Sequence, residues 1–337
     1  MKALKIITII LAVIMVLSLL LTLFNLIPPK QNIDDNPFIV GEGNLPMIAA
    51  HRGGGRCNPE NTLLAFREAV YTYGVDIIES DLYLTKDGYL VFNHDGYIDE
   101  TCDVNGDIPW SEVRELCKTD SNRHYIKDMT LEELKEYNFG YYFSQGGKRI
   151  YKDTEDIAAA GLEIATVEML FEEFYESHPD LLFIVEIKDG GERGYEATKI
   201  LNEVLERYPE YKDNIVIGSF HPDIESNLEK NYPSLMRGAS LLGAGVFILS
   251  HFLGVNFLDG SDFACLQIPM NYDLKVAEIS LDYKSLIDRA HDRNIAVQYW
   301  TINDEEDMRR LIELGCDCIM TDDPALLSQV LAEYKEK

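Results

Sequence analysis

Short apolar runs rich in β-branched residues alternate with longer stretches of helical periodicity along most of the chain. The runs fall at Met47–Ala50, Ile77–Leu84, Leu182–Lys188, Ile215–Phe220, Arg237–Leu242, Phe263–Ile268, Ile295–Thr301 and Cys318–Thr321. Helical patterns occupy Asn61–Tyr73, Val167–Ser177, Tyr195–Tyr208, Asp223–Asn231, Lys284–Arg293 and Glu305–Leu314. Eight buried-type strands, most joined by helical crossovers, predict an α/β chain folded as a closed (β/α)8 TIM barrel rather than an open sheet. A nucleotide-binding open sheet would also carry a G-x-G-x-x-G turn, and Arg52-Gly53-Gly54-Gly55 is not one.

Two apolar segments stand outside this alternation. Ile6–Ile27 is 22 residues without a charge, enough for a helix to span roughly 30 Å of hydrocarbon. Lys2 and Lys5 precede it while Asp34 and Asp35 follow, so the positive-inside bias puts Met1 in the cytoplasm and the barrel outside the cell membrane. The rival reading is a cleaved signal peptide, whose apolar region is about 7–15 residues and ends in small residues. Here the segment ends Asn25-Leu26-Ile27-Pro28-Pro29, which favours an uncleaved single transmembrane helix. The chain thus divides into an anchor over 1–29, a polar tether containing Pro and Gly over 30–44, and the barrel domain over 45–337. Ala239–Leu258 also approaches membrane length. A second span there would set barrel strands on opposite sides of the bilayer. Its Gly-rich start and internal His251 instead predict a strand followed by a buried helix or one that docks on lipid headgroups.

Composition adds three constraints. Apolar content of 46% with only 12 prolines in 337 residues fits a packed domain rather than disorder. A formal charge of −28 argues against nucleic-acid binding, which uses basic faces, and means that any phosphate site needs local positive charge. Of the six cysteines, Cys102 and Cys117 form the most plausible disulfide, while Cys265, Cys316 and Cys318 read as buried thiols. No Cys-x2-Cys pair supports a structural zinc site.

Ionisable residues sit where barrel enzymes hold their chemistry, at the C-terminal ends of the strands. His51 and Arg52 end the first strand, Glu79 and Asp81 share a face of the second, and Glu186 and Lys188 repeat that spacing on the third. Charges in apolar strands need partners or a metal. Carboxylates about 4 Å apart repel by roughly 4 kcal/mol per pair at an effective dielectric near 20. Convergence of Glu79, Asp81 and Glu186 therefore favours a divalent cation, Ca2+ or Mg2+, over salt bridges to Arg52 and Lys188 alone. The Asp87-Gly88 dipeptide predicts a two-residue hairpin turn that pairs Asp81 with His94 across the ladder. Two histidines can then exchange protons near neutral pH beside an arginine that matches a phosphate. These are the parts for metal-assisted phosphodiester hydrolysis.

The motifs AHRGGG, NPENTLLAF, IIESDLYLTKDGYLVFNHD, MTLEELK, IATVEML, FIVEIK, IGSF, QYWTIN and GCDCIMTDDP run in order over about residues 46–325. In these the chain resembles the glycerophosphodiester phosphodiesterase family, among the phospholipase-C-like TIM-barrel phosphodiesterases. The resemblance implies His51 and His94 as the acid/base pair and Glu79, Asp81 and Glu186 as metal ligands. It implies Arg52 and Lys188 as phosphate partners and Trp300 as the wall of a glycerol pocket. The implied reaction releases sn-glycerol 3-phosphate and an alcohol from a glycerophosphodiester. Two alternatives stay open: a lysophospholipase D working at the membrane, and a non-catalytic tethered phosphodiester-binding module. Gly96–Leu162 is longer than the compact family pattern and reads as a lid or a surface insertion. Ala165 replaces the usual proline. Pro59-Glu60-Asn61-Thr62 reads as a helix entry capped by Asn61 or Thr62, with contact of Glu60 to the metal or the histidine as the alternative, and Asp322 reads as a tie in the closing loop. Cys57 reads as incidental, and His178, His221 and His291 as surface or packing residues.

Overall fold

The apolar runs become eight parallel strands: β1 (Met47–His51), β2 (Ile77–Leu84), β3 (Leu182–Ile187), β4 (Ile215–Gly218), β5 (Met236–Arg237), β6 (Cys265–Ile268), β7 (Ala296–Tyr299) and β8 (Cys318–Thr321). The computed structural model of the chain describes residues 2–25, 33, 35–273, 275 and 278–335. Strand order is β5-β4-β3-β2-β1-β8-β7-β6. A parallel bridge between Gly238 and Cys265 then joins the two ends of the sheet, with Ala264 N donating to Arg237 O and Ala239 N to Cys265 O, both at 2.8 Å. The predicted barrel is thus present, its fifth strand the shortest. The predicted Arg237–Leu242 strand stops early because Ser240 caps a new helix by accepting from Gly243 N at 3.1 Å.

Alternation sorts the strand side chains into two layers. Ala49, Ile77, Leu182, Ile184, Val216, Cys265, Ala296, Cys318 and Met320 fill the barrel, while Ile48, Ile78, Leu82, Phe183 and Val185 pack under the helices. Glu79, Asp81 and Glu186 continue the inward rows of β2 and β3 beyond Ile77 and Ile184. Phe38, fully buried, closes the floor. Part of the predicted tether is consequently structural: Asn36 Nδ2 donates to Ala264 O at 2.8 Å and Val40 N to Asp317 Oδ1 at 3.0 Å. The predicted anchor is a helix over Lys2–Asn25, apolar and unburied along Lys5–Asn25. Residues 26–29 of that anchor, and 30–32 and 34 of the tether, lie outside the described residues.

The predicted two-residue turn after β2 is corrected. Leu82, Tyr83 and Leu84 pair with Phe92, Val91 and Leu90, so Asp81 comes opposite Asn93 rather than His94. Thr85 N donates to Tyr89 O at 2.9 Å, and Thr85 Oγ1 also accepts from Tyr89 N. Those bonds enclose Lys86, Asp87 and Gly88, and the glycine meets the positive φ of 90°. Cys102 and Cys117, expected to pair, are both free and buried. They belong to the Gly96–Leu162 insertion, which packs Ile98, Cys102, Ile126, Leu134 and Phe139 into a small core with Val91 and Ile164. Cys102 Sγ also donates to Ile98 O at 3.2 Å.

Candidate active site

The tight turn after β1 sets the site's first edge. Arg52, Gly53 and Gly54 all take positive φ (54°, 79° and 90°), and Gly54 N donates to His51 O at 2.9 Å. Gly53 wedges against Ala65 and Phe66, and a Cβ on Gly54 would lie 2.7 Å from Pro324 Cγ. Gly54→Ala therefore combines backbone strain with overpacking and is expected to destabilise the fold by about 1–3 kcal/mol. Denaturant unfolding followed by tryptophan fluorescence measures this, and an unchanged midpoint would contradict close packing of Gly54 on Pro324.

The turn leaves His51 facing two carboxylates. Its Nδ1 is 2.6 Å from Asp322 Oδ1, and its Nε2 is 3.9 Å from Glu79 Oε2. Burial opposes protonation of His51, but the Asp322 hydrogen bond and the Glu79 charge outweigh it and raise the imidazole pKa. Asp322 is fixed in turn by Asn303 Nδ2 at 2.7 Å. Glu79 also accepts from Arg52 N at 3.0 Å. Burial first, then the charge of Asp81, pushes the Glu79 carboxyl up to about 7.

Arg52 and Lys188 tie the remaining acids together. Arg52 NH1 lies 3.3 Å from both carboxylate oxygens of Glu60, and its Nε faces Asp81 Oδ2 at 3.5 Å. Lys188 Nζ lies 3.0 Å from Asp81 Oδ1 and 2.9 Å from Glu186 Oε2. Burial works against the Lys188 charge, yet Asp81 and Glu186 raise its pKa; burial raises that of Glu186 despite Lys188. His94 stands at the rim, its side chain 37% exposed, with Nδ1 3.3 Å from Asp95 Oδ1. Trp300 follows β7, half-buried against the barrel interior, with its N donating to Ile268 O at 3.2 Å.

The donor set suits a hard cation. Asp81 Oδ2 and Arg52 Nε are buried without a hydrogen bond, which leaves an unsatisfied oxygen beside two further carboxylates. Among the described residues, no three His, Cys, Asp or Glu side chains yet stand in metal-holding geometry. Lys188 occupies the space between Asp81 and Glu186, while Glu79 is turned to His51 and Arg52. Glu79, Asp81 and Glu186 have the chemistry to hold a divalent ion once that ammonium yields.

Asp322 against His51 and Glu60 against Arg52 are further neighbours of the candidate site. The signal for Asp322 lies in the register: Ala50 pairs with Thr321, which brings the next residues, His51 and Asp322, together. Thr62 is the helix cap, accepting from Ala65 N at 3.2 Å, while Asn61 Oδ1 accepts from Ser80 Oγ. His221 supports the site indirectly through Nε2 to Lys188 O at 3.0 Å, whereas His291 pairs with Asp317 and His178 packs on Tyr71 and Phe174. Gln145 Nε2 reaches Cys57 O at 3.1 Å, joining the insertion to the loop beside the site.

Residues 51–326 match the model of the glycerophosphoryl diester phosphodiesterase family. A glycerophosphodiester phosphodiesterase of Caldanaerobacter subterraneus is 28% identical over 83% of this chain and 96% of its own length. A lysophospholipase D of Mus musculus is 26% identical over 86% of this chain and 87% of its own. The fold is similar to that of an Oleispira antarctica phosphodiesterase solved with its product sn-glycerol 3-phosphate. That likeness has a TM-score of 0.60 at 22% identity and covers 86% of this chain and 97% of the other.

Proposed function

The chain belongs to the glycerophosphoryl diester phosphodiesterase family, whose members hydrolyse glycerophosphodiesters, and we propose how its own residues divide that work. The observation that carries the reading is the gathering of His51, Arg52, Glu79, Asp81, Glu186 and Lys188 at one barrel mouth. Arg52 and Lys188 bind the nonbridging phosphate oxygens, supplying the local positive charge that a chain of net −28 otherwise lacks. His51 and His94 form the acid/base pair: one takes the proton of the nucleophile, either water or the substrate's own glycerol hydroxyl with water then opening the cyclic phosphate, and the other protonates the departing alkoxide. Asp322 holds the His51 ring through Nδ1, leaving Nε2 toward the reacting groups. Trp300 walls the glycerol moiety. Glu79, Asp81 and Glu186 would hold Ca2+ or Mg2+, which when bound would neutralise charge that develops on the phosphate. The products are sn-glycerol 3-phosphate and an alcohol, in lipid and glycerol metabolism. The helix within 1–29 anchors the chain in the cell membrane with its N-terminus cytoplasmic, and 30–44 connects it to the extracellular barrel domain over 45–337.

Incubating the full chain with glycerophosphocholine and divalent cation is expected to yield sn-glycerol 3-phosphate and choline, detected with glycerol-3-phosphate dehydrogenase. Release of phosphocholine and glycerol would overturn the assignment of the cleaved bond. The exposed apolar helix after β5 favours a second reading, lysophospholipase D activity on substrates that retain one acyl chain.

A further inference from the structure

Helix Leu241–Phe252, which follows β5, is apolar on both of its faces. Ala244, Phe247 and Ser250 are buried against the barrel. On the opposite face Leu242, Val246, Leu249 and Leu253 follow the i, i+4, i+7, i+11 spacing of one helical stripe and are 77%, 51%, 58% and 62% exposed. No Asp, Glu, Lys or Arg occurs from Ser240 to Leu258, in a chain of net charge −28. The helix is firmly seated. The buried Arg289 guanidinium donates to Phe247 O at 2.6 Å and Ser250 Oγ at 2.8 Å, and pairs with Asp259 at 2.7 Å. A contiguous apolar stripe on so rigid a support marks a surface that binds something apolar.

The other apolar helix identifies the partner. At its C-terminal end Phe24 stacks on Phe257 with ring centroids 5.0 Å apart. Asn25 Nδ2 donates to Gly254 O at 2.6 Å, and Asn25 Oδ1 accepts from Phe257 N at 3.3 Å. With Lys5–Asn25 as the membrane span, Asn25 marks the bilayer surface and holds Gly254–Phe257 there. Barrel helices run back from the catalytic mouth toward the floor, so the stripe extends from the mouth, at Leu241, to the anchor. We propose that Leu241–Phe252 lies in the plane of a phospholipid bilayer surface, its outer stripe inserted among the acyl chains and the barrel resting on its side. The absence of charge makes this docking apolar rather than electrostatic, suited to zwitterionic lipid. Resting on the proposed reaction, the geometry deepens it: the mouth borders the lipid surface, so its substrates are phosphodiesters still held there by an acyl chain.

Leu249→Trp and Tyr71→Trp variants of the full chain, reconstituted in phosphatidylcholine bilayers, separate the possibilities. Tyr71 is exposed and follows β1, across the barrel from β5 and β6. Brominated acyl chains are expected to quench the emission of the indole introduced at position 249, at low and high salt alike, and to spare that of the indole at position 71. Equal quenching at both positions overturns the docking. In the same bilayers Leu242→Asp combined with Leu249→Asp is expected to slow lysophosphatidylcholine turnover by about tenfold, from loss of apolar insertion. Turnover of soluble glycerophosphocholine should stay unchanged; an equal effect on both substrates, or none on either, overturns the substrate assignment. If the unaltered chain cleaves neither substrate, the proposed reaction fails while the quenching result stands.

Discussion

His51→Ala is expected to lower kcat by about 10²–10⁴-fold with substrate affinity largely kept, because it removes a positioned proton carrier without removing a phosphate contact. Steady-state kinetics on glycerophosphocholine test this, and a near-normal kcat would refute the role of His51. The environment of the ring adds a second, independent readout. Burial lowers the His51 pKa, while the Asp322 hydrogen bond and the Glu79 charge raise it by more. Asp322→Asn removes the Asp322 charge and weakens the hydrogen bond that raises the pKa, while the burial stays. The pKa then falls, so the limb of the rate profile that reports His51 moves to lower pH. A substitution that merely loosened the loop would lower the rate without displacing that limb. His94→Ala is expected to cost a similar factor in kcat.

Much of this site could be read in the chain because burial makes charge conspicuous. Glu79, Asp81 and Glu186 interrupt rows of apolar residues that otherwise fill the barrel, so their positions alone imply pairing or a metal. Most of the eight strands were legible for the same reason, being short runs buried on both faces, whereas β5 is only half-buried. Turn chemistry was less so. Asp87-Gly88 implies a two-residue hairpin, yet the Thr85 hydroxyl accepts from Tyr89 N and extends the turn to three residues. That single step shifts the ladder and leaves Asn93, not His94, opposite Asp81. His94 still reaches the mouth because the ladder has already ended at Phe92. Asp322 looked like a loop tie because its partner lies 271 residues away, and only the closure of β1 on β8 makes the two adjacent. Cys102 and Cys117, expected to pair, are free, and Cys102 packs instead into the small core of the insertion.

The second large effect concerns the carboxylates. In this structure the charge of Asp81 is met by Lys188 at 3.0 Å and by Arg52 at 3.5 Å, and its Oδ2 has no hydrogen bond. Like charges about 4 Å apart cost roughly 4 kcal/mol at an effective dielectric near 20, so a divalent ion shared with Glu79 and Glu186 offsets repulsion that the two cationic side chains only partly relieve. Removing divalent cations with a chelator is therefore expected to lower turnover by about 10²-fold or more, with recovery on adding Ca2+ or Mg2+. Undiminished turnover after exhaustive chelation would remove the cation from the reaction. Binding to the folded state alone also stabilises it by mass action. The cation should raise the unfolding midpoint of the unaltered chain and leave that of Asp81→Asn unmoved. Asp81→Asn keeps the shape of the side chain but removes the charge at the centre of the three. It should lose cation binding and turnover together while the barrel stays folded. A variant that still shifts its midpoint with Ca2+ or Mg2+ would place the ion elsewhere, and Lys188 would then remain the standing partner of Asp81 and Glu186.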